Sequence, residues 1–376
     1  MFRQGRLLIA CCAACLAGCG GSSSPPPIFL GHVATLSGPD AQAGKSAEQG
    51  MRLALEELGA AASTNLQGRP LVVRHVDAAG SLDNMEAQAA RLVSVNKAVG
   101  LLGGVTKDEA LRLDRSRVPV LSPVGFRTSA MSELLFTTGL APTTQGQVLA
   151  QFLADEAPAA GTVIVDPRRE ESLVFAEHFR RAWADAMSKR DSKTETSRWT
   201  EVTLPKDPKL AEWGAGVIQS KPPTIVFTGV AADFETLRRA WGAAAPRLVF
   251  AGDDGSWKDG NTIAGQTVYV ATAFAVGKED SKALEFAKKY RAANREEPDV
   301  QAVIAYDNVR LFAEALAKGQ SSAPDKLREE LLKLQDFPGV TGPIAFTREQ
   351  HLKRTVFVGR IEGAARIPTA VKSYNP

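Results

Sequence analysis

Residues Ile28 to Leu58 read IFLGHVATLSGPDAQAGKSAEQGMRLALEEL. The opening stretch, Ile28 to Leu36, is a short apolar run of the kind that forms a parallel strand buried on both faces. Met51, Ala54, Leu55 and Leu58 then recur at i, i+3, i+4 and i+7, which puts them on one face of a helix. A strand feeding a helix is half of a βαβ unit, and the pattern continues along the chain. Further strands are predicted at Leu71 to Val76, Val99 to Leu102 and Val118 to Leu121. A second series runs Thr162 to Val165, Val202 to Leu204, Thr224 to Thr228 and Leu248 to Ala251. Thr267 to Ala271 and Val356 to Val358 follow. Helical faces repeat at Ser172, Phe175, Ala176 and Phe179, at Ala283, Phe286, Ala287 and Tyr290, and at Val309, Phe312, Ala313 and Leu316. Strand–helix alternation implies right-handed crossovers and a doubly wound sheet. Two series imply two sheets, so the fold class is α/β.

The size agrees. At about 150 residues per domain, 376 residues make roughly two to two and a half domains. A chain that is 44% hydrophobic and 23% charged has ample material for two cores and is neither disordered nor collagen-like. With a formal charge of +3 and scattered basic residues, it has no electrostatic footprint for nucleic acid.

Cys11, Cys12, Cys15 and Cys19 are the only cysteines. They lie in a window where Arg3 and Arg6 precede an apolar run from Leu7 to Leu16, followed by small residues. That is the layout of a secretory signal, over residues 1–18. Leu16-Ala17-Gly18-Cys19 also resembles a bacterial lipobox, which implies cleavage before Cys19 and lipid on that residue. An ordinary Cys-rich signal, or an uncut anchor, is the other reading. Cleavage removes two arginines and takes the formal charge from +3 to +1. The body is then expected to hold no disulfide, and only the lipid is expected to touch a membrane. Gly20 to Pro27, Gly-Gly-Ser-Ser-Ser-Pro-Pro-Pro, forms with Cys19 a tether that is flexible at first and stiffer at the prolines.

Few residues carry catalytic signatures. His32, His75, His178 and His351 lack the spacing of metal ligands, so no metal or cofactor is expected. There is no G-x-S-x-G elbow, and Ser94-Val95-Asn96-Lys97 lacks the companion motifs of an S-x-x-K enzyme. Gly38 to Ser46 sits between strand and helix as a P-loop does. It has five residues between its first Gly and Gly44-Lys45-Ser46 where four are needed, so its amides are out of register for a phosphate. No enzyme motif is complete, and the expectation is that the protein is not an enzyme.

The same segment carries a resemblance. Gly31-His32-Val33-Ala34-Thr35-Leu36-Ser37-Gly38-Pro39, Gly44, and Gly50 to Leu58 resemble the opening of branched-chain amino-acid binding proteins, the solute receptors of ABC importers. Val118-Pro119-Val120-Leu121-Ser122-Pro123, Gln145-Gly146, Tyr306-Asp307 and Phe337 to Phe346 follow in that family's order. The resemblance implies a type I periplasmic-binding-protein fold, two Rossmann-like lobes joined by three crossing segments. It puts them near Thr137 to Pro142, Thr267 to Ala273 and Gly342 to Arg348. The lobes are then 28–140 plus 268–345, and 141–267 plus 346–376. It further implies a small polar or zwitterionic, amino-acid-like ligand, an ABC permease complex as partner, a monomer, and a place on the periplasmic side of a bacterial membrane. A sensor or envelope regulator on the same scaffold is the alternative.

Ligand positions are carried over one at a time. Thr106 and Lys107 stand where a carboxylate is held, and Asp253 where an ammonium is held. Gly125 and Phe126 follow the fourth strand. Ala43, Glu170 and Val300 stand where the family has aromatics, with Arg168 and Arg169 beside Glu170. Ser37 and Ser122 complete the set. With the aromatic walls reduced, the resemblance implies a more polar ligand than leucine.

Overall fold

The computed structural model describes residues 25–125, 127–156, 160–189, 199–206, 209–251, 266–277, 282–362 and 367–375, with backbone alone for 60–65. The signal, Cys19, Phe126 and Asp253 lie outside the described residues.

The first lobe opens with β1 (Ile28–Ala34), α1 (Gln42–Asn65), β2 (Leu71–Asp77), α2 (Leu82–Ser94), β3 (Ala98–Gly103), α3 (Lys107–Asp114), β4 (Val120–Ser122) and β5 (Leu135–Thr137). These strands pair in parallel in the order β2-β1-β3-β4-β5. The chain then passes into α4 (Pro142–Glu156), β6 (Gly161–Val165), α5 (Glu170–Ser188), β7 (Trp199–Thr203), α6 (Leu210–Gln219), β8 (Thr224–Phe227), α7 (Ala231–Trp241), β9 (Arg247–Phe250) and β10 (Thr267–Thr272). It returns through α8 (Lys282–Asn294), α9 (Val300–Gly319) and α10 (Pro324–Lys333), then β11 (Phe337–Gly339), β12 (Gly342–Phe346) and β13 (Leu352–Lys353). It ends on β14 (Val356–Glu362) and β15 (Thr369–Tyr374). The second sheet runs β15-β14-β10-β9-β8-β6-β7. Its parallel part, β7-β6-β8-β9-β10, has the same winding as the first sheet, and β14 and β15 add antiparallel to it.

The predicted helical faces are the buried ones. Phe175, Ala176 and Phe179 join a core with Val226 and Val249. Tyr290, Val309, Phe312 and Leu316 join Leu30, Leu102 and Phe136 in the first lobe's core.

Two crossings differ from the sequence expectation. Thr267–Thr272 was divided between the lobes at 267/268, but all of it pairs with β9 or β14 in the second sheet, so the crossing follows Thr272. A buried strand bonded along both edges cannot be split between two bodies. Residues 342–348 were expected to cross. Instead β12 folds back on β11 and on β13, and Phe346 and Leu352 pack in the first lobe's core. The third crossing is therefore 354–355, between β13 and β14.

The first crossing, 138–141, lies against the loop after β4. Thr138 N donates to Ser122 O at 2.7 Å and Gly139 N to Val124 O at 3.1 Å. The approach is so close that a Cβ on Gly125 would sit 2.1 Å from Leu140 O, and one on Gly139 2.0 Å from Pro123 O. Glycine is required at both positions to let the two backbones meet.

Candidate functional site

Helix N-termini and strand carboxyl ends from both lobes converge on one cleft, as open α/β sheets dictate at the point where strand order reverses. In the first lobe that point lies between β1 and β3, and in the second between β6 and β8. The cleft holds about 500 Å³, the scale of a small-molecule site.

The first-lobe wall is built on the start of α3. Thr106 caps this helix: its Oγ1 accepts from Glu109 N at 3.3 Å, while the Glu109 carboxylate accepts from Val105 N and Thr106 N at 2.8 and 3.1 Å. This reciprocal capping box satisfies the helix's loose amides. It also means that two amides of this loop are already engaged within the protein. Thr106 lines the cleft with a hydroxyl that does structural work as well.

Lys107 and Glu170 are the first residues of α3 and α5, and they meet across the cleft, Nζ to Oε2 at 3.0 Å. The Glu170 carboxylate holds the Lys107 ammonium pKa above its ordinary value. Both side chains are partly exposed, so the pair adds little to global stability. It does bring one charge from each lobe to the same point.

Arg168 is tied to its own loop. Its Nε and Nη2 donate to the Asp166 carboxylate at 2.7 and 2.9 Å, and its amide to Asp166 Oδ1 at 3.1 Å. Burial works to raise the Asp166 pKa, but these bonds outweigh it and the net shift is downward. The loop after β6 is thereby fixed, with Arg168, Arg169, Glu170 and Glu171 on the cleft wall. With Lys107 and Asp108 opposite, the rim carries three cations and three carboxylates.

The expected positions divide. Thr106, Lys107, Gly125 and Glu170 line the cleft together, as does Ala43. Ser122 does not: it is fully buried, and its hydroxyl donates to Gly104 O at 2.6 Å, locking two loops behind the wall. Ser37 does not either. It is exposed at the end of the β1 loop, where its hydroxyl bonds Asp77 and helps hold that carboxyl below the usual range. Val300 is core, 5% exposed, and the next residue, Gln301, lines the cleft instead. Phe126 and Asp253 lie outside the described residues.

Gln145, Thr228 and Gln301 line the cleft without having been expected as ligand positions. Asp299 caps α9 by accepting from Ala302 N at 2.9 Å, which puts Val300 and Gln301 in its first turn. Among the described residues no group of three His, Cys, Asp or Glu is placed to hold a metal. Nor is any described helix long and apolar enough to cross a membrane.

Solved structures share this architecture. A branched-chain amino-acid transporter substrate-binding protein, LivJ of Streptococcus pneumoniae, solved with isoleucine, is 21% identical; the match covers 93% of this chain and 100% of that one, with a TM-score of 0.73. A solute-binding protein of an ABC transporter from Rhodopseudomonas palustris BisB5, solved with 3,4-dihydroxybenzoic acid, is 16% identical over 93% and 97% of the two chains, with a TM-score of 0.76. Another from R. palustris, solved with 4-hydroxybenzoate, is 15% identical over the same shares, also with a TM-score of 0.76. At these identities the likeness concerns the fold. The model of one family, described as periplasmic binding protein, matches residues 27–365. With nearly the whole folded body matched, and two like-wound lobes facing one cleft, this chain belongs to the periplasmic binding protein family.

Proposed function

We propose that this protein is the solute receptor of an ABC importer, taking a small polar or zwitterionic ligand into the interlobe cleft and closing around it. The observation that carries this reading is the cleft, about 500 Å³, walled by helix starts from both lobes and rimmed by charges of both signs. A carboxylate is favoured at the α3 start beside Lys107, where a cation and a helix N-terminus coincide. Asp253 is the proposed partner for an ammonium. The three crossings, at 138–141, after Thr272 and at 354–355, are the proposed hinges. Ligand contacts to both lobes exist only in the closed form, and about 5.5 kcal/mol of such difference converts an almost wholly open population to an almost wholly closed one.

A thermal-shift screen of the chain from Gly20 onward tests the reading. Leucine, isoleucine, valine, threonine, benzoate and 4-hydroxybenzoate belong in it, since the structural relatives were solved with amino-acid and aromatic-acid ligands. A ligand at a hundred times its Kd stabilises by about 2.7 kcal/mol. If an amino acid binds, Asp253→Ala is expected to weaken it by about 2 kcal/mol or more, roughly thirtyfold, because the ammonium is left unpaired. Unchanged affinity refutes that assignment, and a screen without any stabilising solute of these classes refutes the ligand class.

The receptor is proposed to be a monomer held at the periplasmic face of a bacterial membrane by lipid on Cys19. Labelled palmitate is expected to enter the wild-type protein and to be absent from Cys19→Ser, which should fractionate as a soluble species. Equal membrane retention of the two forms contradicts the anchor.

A further inference from the structure

Behind the first-lobe wall of the cleft lies a small recess of about 20 Å³. It shares Val105, Pro123, Gln301 and Ile304 with the cleft, so the two are contiguous. Its volume is that of one water-sized group. Most of its lining is apolar, including Met51, Ile304 and Ala305; beside Gln301, which it shares with the cleft, the polar side chains on it are His32 of β1 and Asn308 of α9. They are 0% and 2% exposed.

Each has one atom engaged and one without a partner. His32 Nδ1 lies 2.9 Å from His75 Nδ1, while His32 Nε2 has no hydrogen-bond partner among the described residues. Asn308 Nδ2 donates to Thr138 Oγ1 at 3.1 Å, while Asn308 Oδ1 likewise has no partner among the described residues. Leaving such groups buried and unpaired is costly. Two of them lining one water-sized space mark it as a place for a hydrogen-bonding group.

The chemistry of that group follows from the two atoms. Asn308 Oδ1 only accepts. His32 Nε2 carries the hydrogen when Nδ1 accepts from His75, and accepts when Nδ1 donates. A carboxylate would set its charge against the acceptor Asn308 Oδ1 in a mainly apolar recess, and an ammonium would have to shed its water there. A neutral hydroxyl satisfies both atoms when His32 Nε2 carries the hydrogen, donating to Asn308 Oδ1 and accepting from Nε2.

We propose that this recess is a specificity subsite that receives a hydroxyl at the far end of the ligand, held between His32 Nε2 and Asn308 Oδ1. The inference rests on the cleft being the solute site, and it narrows that solute to one bearing a neutral hydroxyl beyond a slim apolar part.

Two measurements test it, both on the chain from Gly20 onward. In the first, the imidazole nitrogens are followed by NMR while methanol, a bare hydroxyl probe, is added. The His32 Nε2 signal is expected to move and saturate while His178, on α5, stays still. A His32 signal that does not respond, whether the recess is closed or holds a water that methanol does not displace, overturns the proposal. So does a response shared equally with His178. In the second, threonine is compared with valine, and 4-hydroxybenzoate with benzoate. Whichever pair binds, the hydroxylated member is expected to bind at least tenfold more tightly in the wild type, with the difference shrinking below threefold in His32→Phe and in Asn308→Leu. Equal affinities in the wild type, or a preference that survives both substitutions, overturns it. If neither pair binds, the proposed ligand class has failed, and the methanol titration still decides the subsite.

Discussion

Between pH 7 and pH 4 the wild-type protein is expected to lose roughly 3 kcal/mol more stability than a His32→Leu variant. His32 is wholly buried, and burial first, then the neighbouring His75, lowers its pKa from 6.5 to about 3. The folded protein therefore holds a neutral ring across a range in which the unfolded chain takes up a proton. That stability is complete above pH 6.5 and is lost as pH falls toward 3, at about 1.4 kcal/mol per pH unit. His75 is also lowered, chiefly by burial, with Glu48 opposing and Arg52 assisting, and it adds to the loss. Asp307 runs the other way. Its pKa is raised by burial, so its contribution is present at low pH and fades as pH rises through its folded pKa. That background is common to wild type and variant, and the difference between them isolates the histidine. Urea melts at pH 7, 6, 5 and 4 provide the measurement. Parallel curves for the two proteins contradict a neutral, buried His32.

Arg354→Met is expected to destabilise the protein by about 3 kcal/mol or more, and Arg354→Met combined with Asp307→Asn by appreciably less. Arg354 lies on the third crossing and is 5% exposed; Asp307 lies on α9 and is 0% exposed. Burial raises the Asp307 pKa, while Arg354, then Arg310, then the Val340 amide oppose that rise. Removing the arginine strips a buried carboxylate of its largest compensating charge, the kind of loss that typically costs about 3–5 kcal/mol. Asp307→Asn removes the charge but keeps an oxygen for the Val340 amide, which donates to Asp307 Oδ1 at 3.2 Å. A double-mutant cycle by denaturant melts reads the coupling. Additive losses would show that the two residues act independently.

How far the sequence could be read follows from the length and burial of each element. The inner strands β1, β3, β4, β6, β8, β9 and β10 were legible because they are largely buried apolar runs, and α5, α8 and α9 because their predicted residues are buried. β5, β11 and β13 have only two or three residues each, too few to show a period. β15, Thr-Ala-Val-Lys-Ser-Tyr, is an exposed antiparallel edge with no apolar run. The segment Phe337 to Phe346 was distinctive as a motif, but a motif does not say whether the chain there crosses or turns back. It turns back, because Phe337, Ile344 and Phe346 are more completely buried by staying with the first lobe's core.

At the site, side chains that serve a ligand and those that cap a loop have the same composition. Thr106 with Glu109 is a capping box visible in the sequence, and the structure adds that the same threonine faces the cleft. Ser37 and Ser122 were expected among the ligand positions, and both hydroxyls are used by the loops themselves. Arg168 could not be separated from a ligand-binding arginine until its bidentate bond to Asp166 was seen. The unpartnered faces of His32 and Asn308 were not legible at all, since nothing in a sequence reports which atom of a buried side chain lacks a partner.

A solute receptor of this build closes its two lobes on the solute. The cysteines all lie in residues 11–19, so the chain from Gly20 onward accepts a spin-label pair cleanly. Val95→Cys on the first lobe and Leu173→Cys on the second use exposed positions, at 66% and 49%. With a solute that stabilises the protein, the distance distribution between the labels is expected to shift and narrow, in proportion to saturation. A distribution that stays the same from empty to saturated protein would contradict closure.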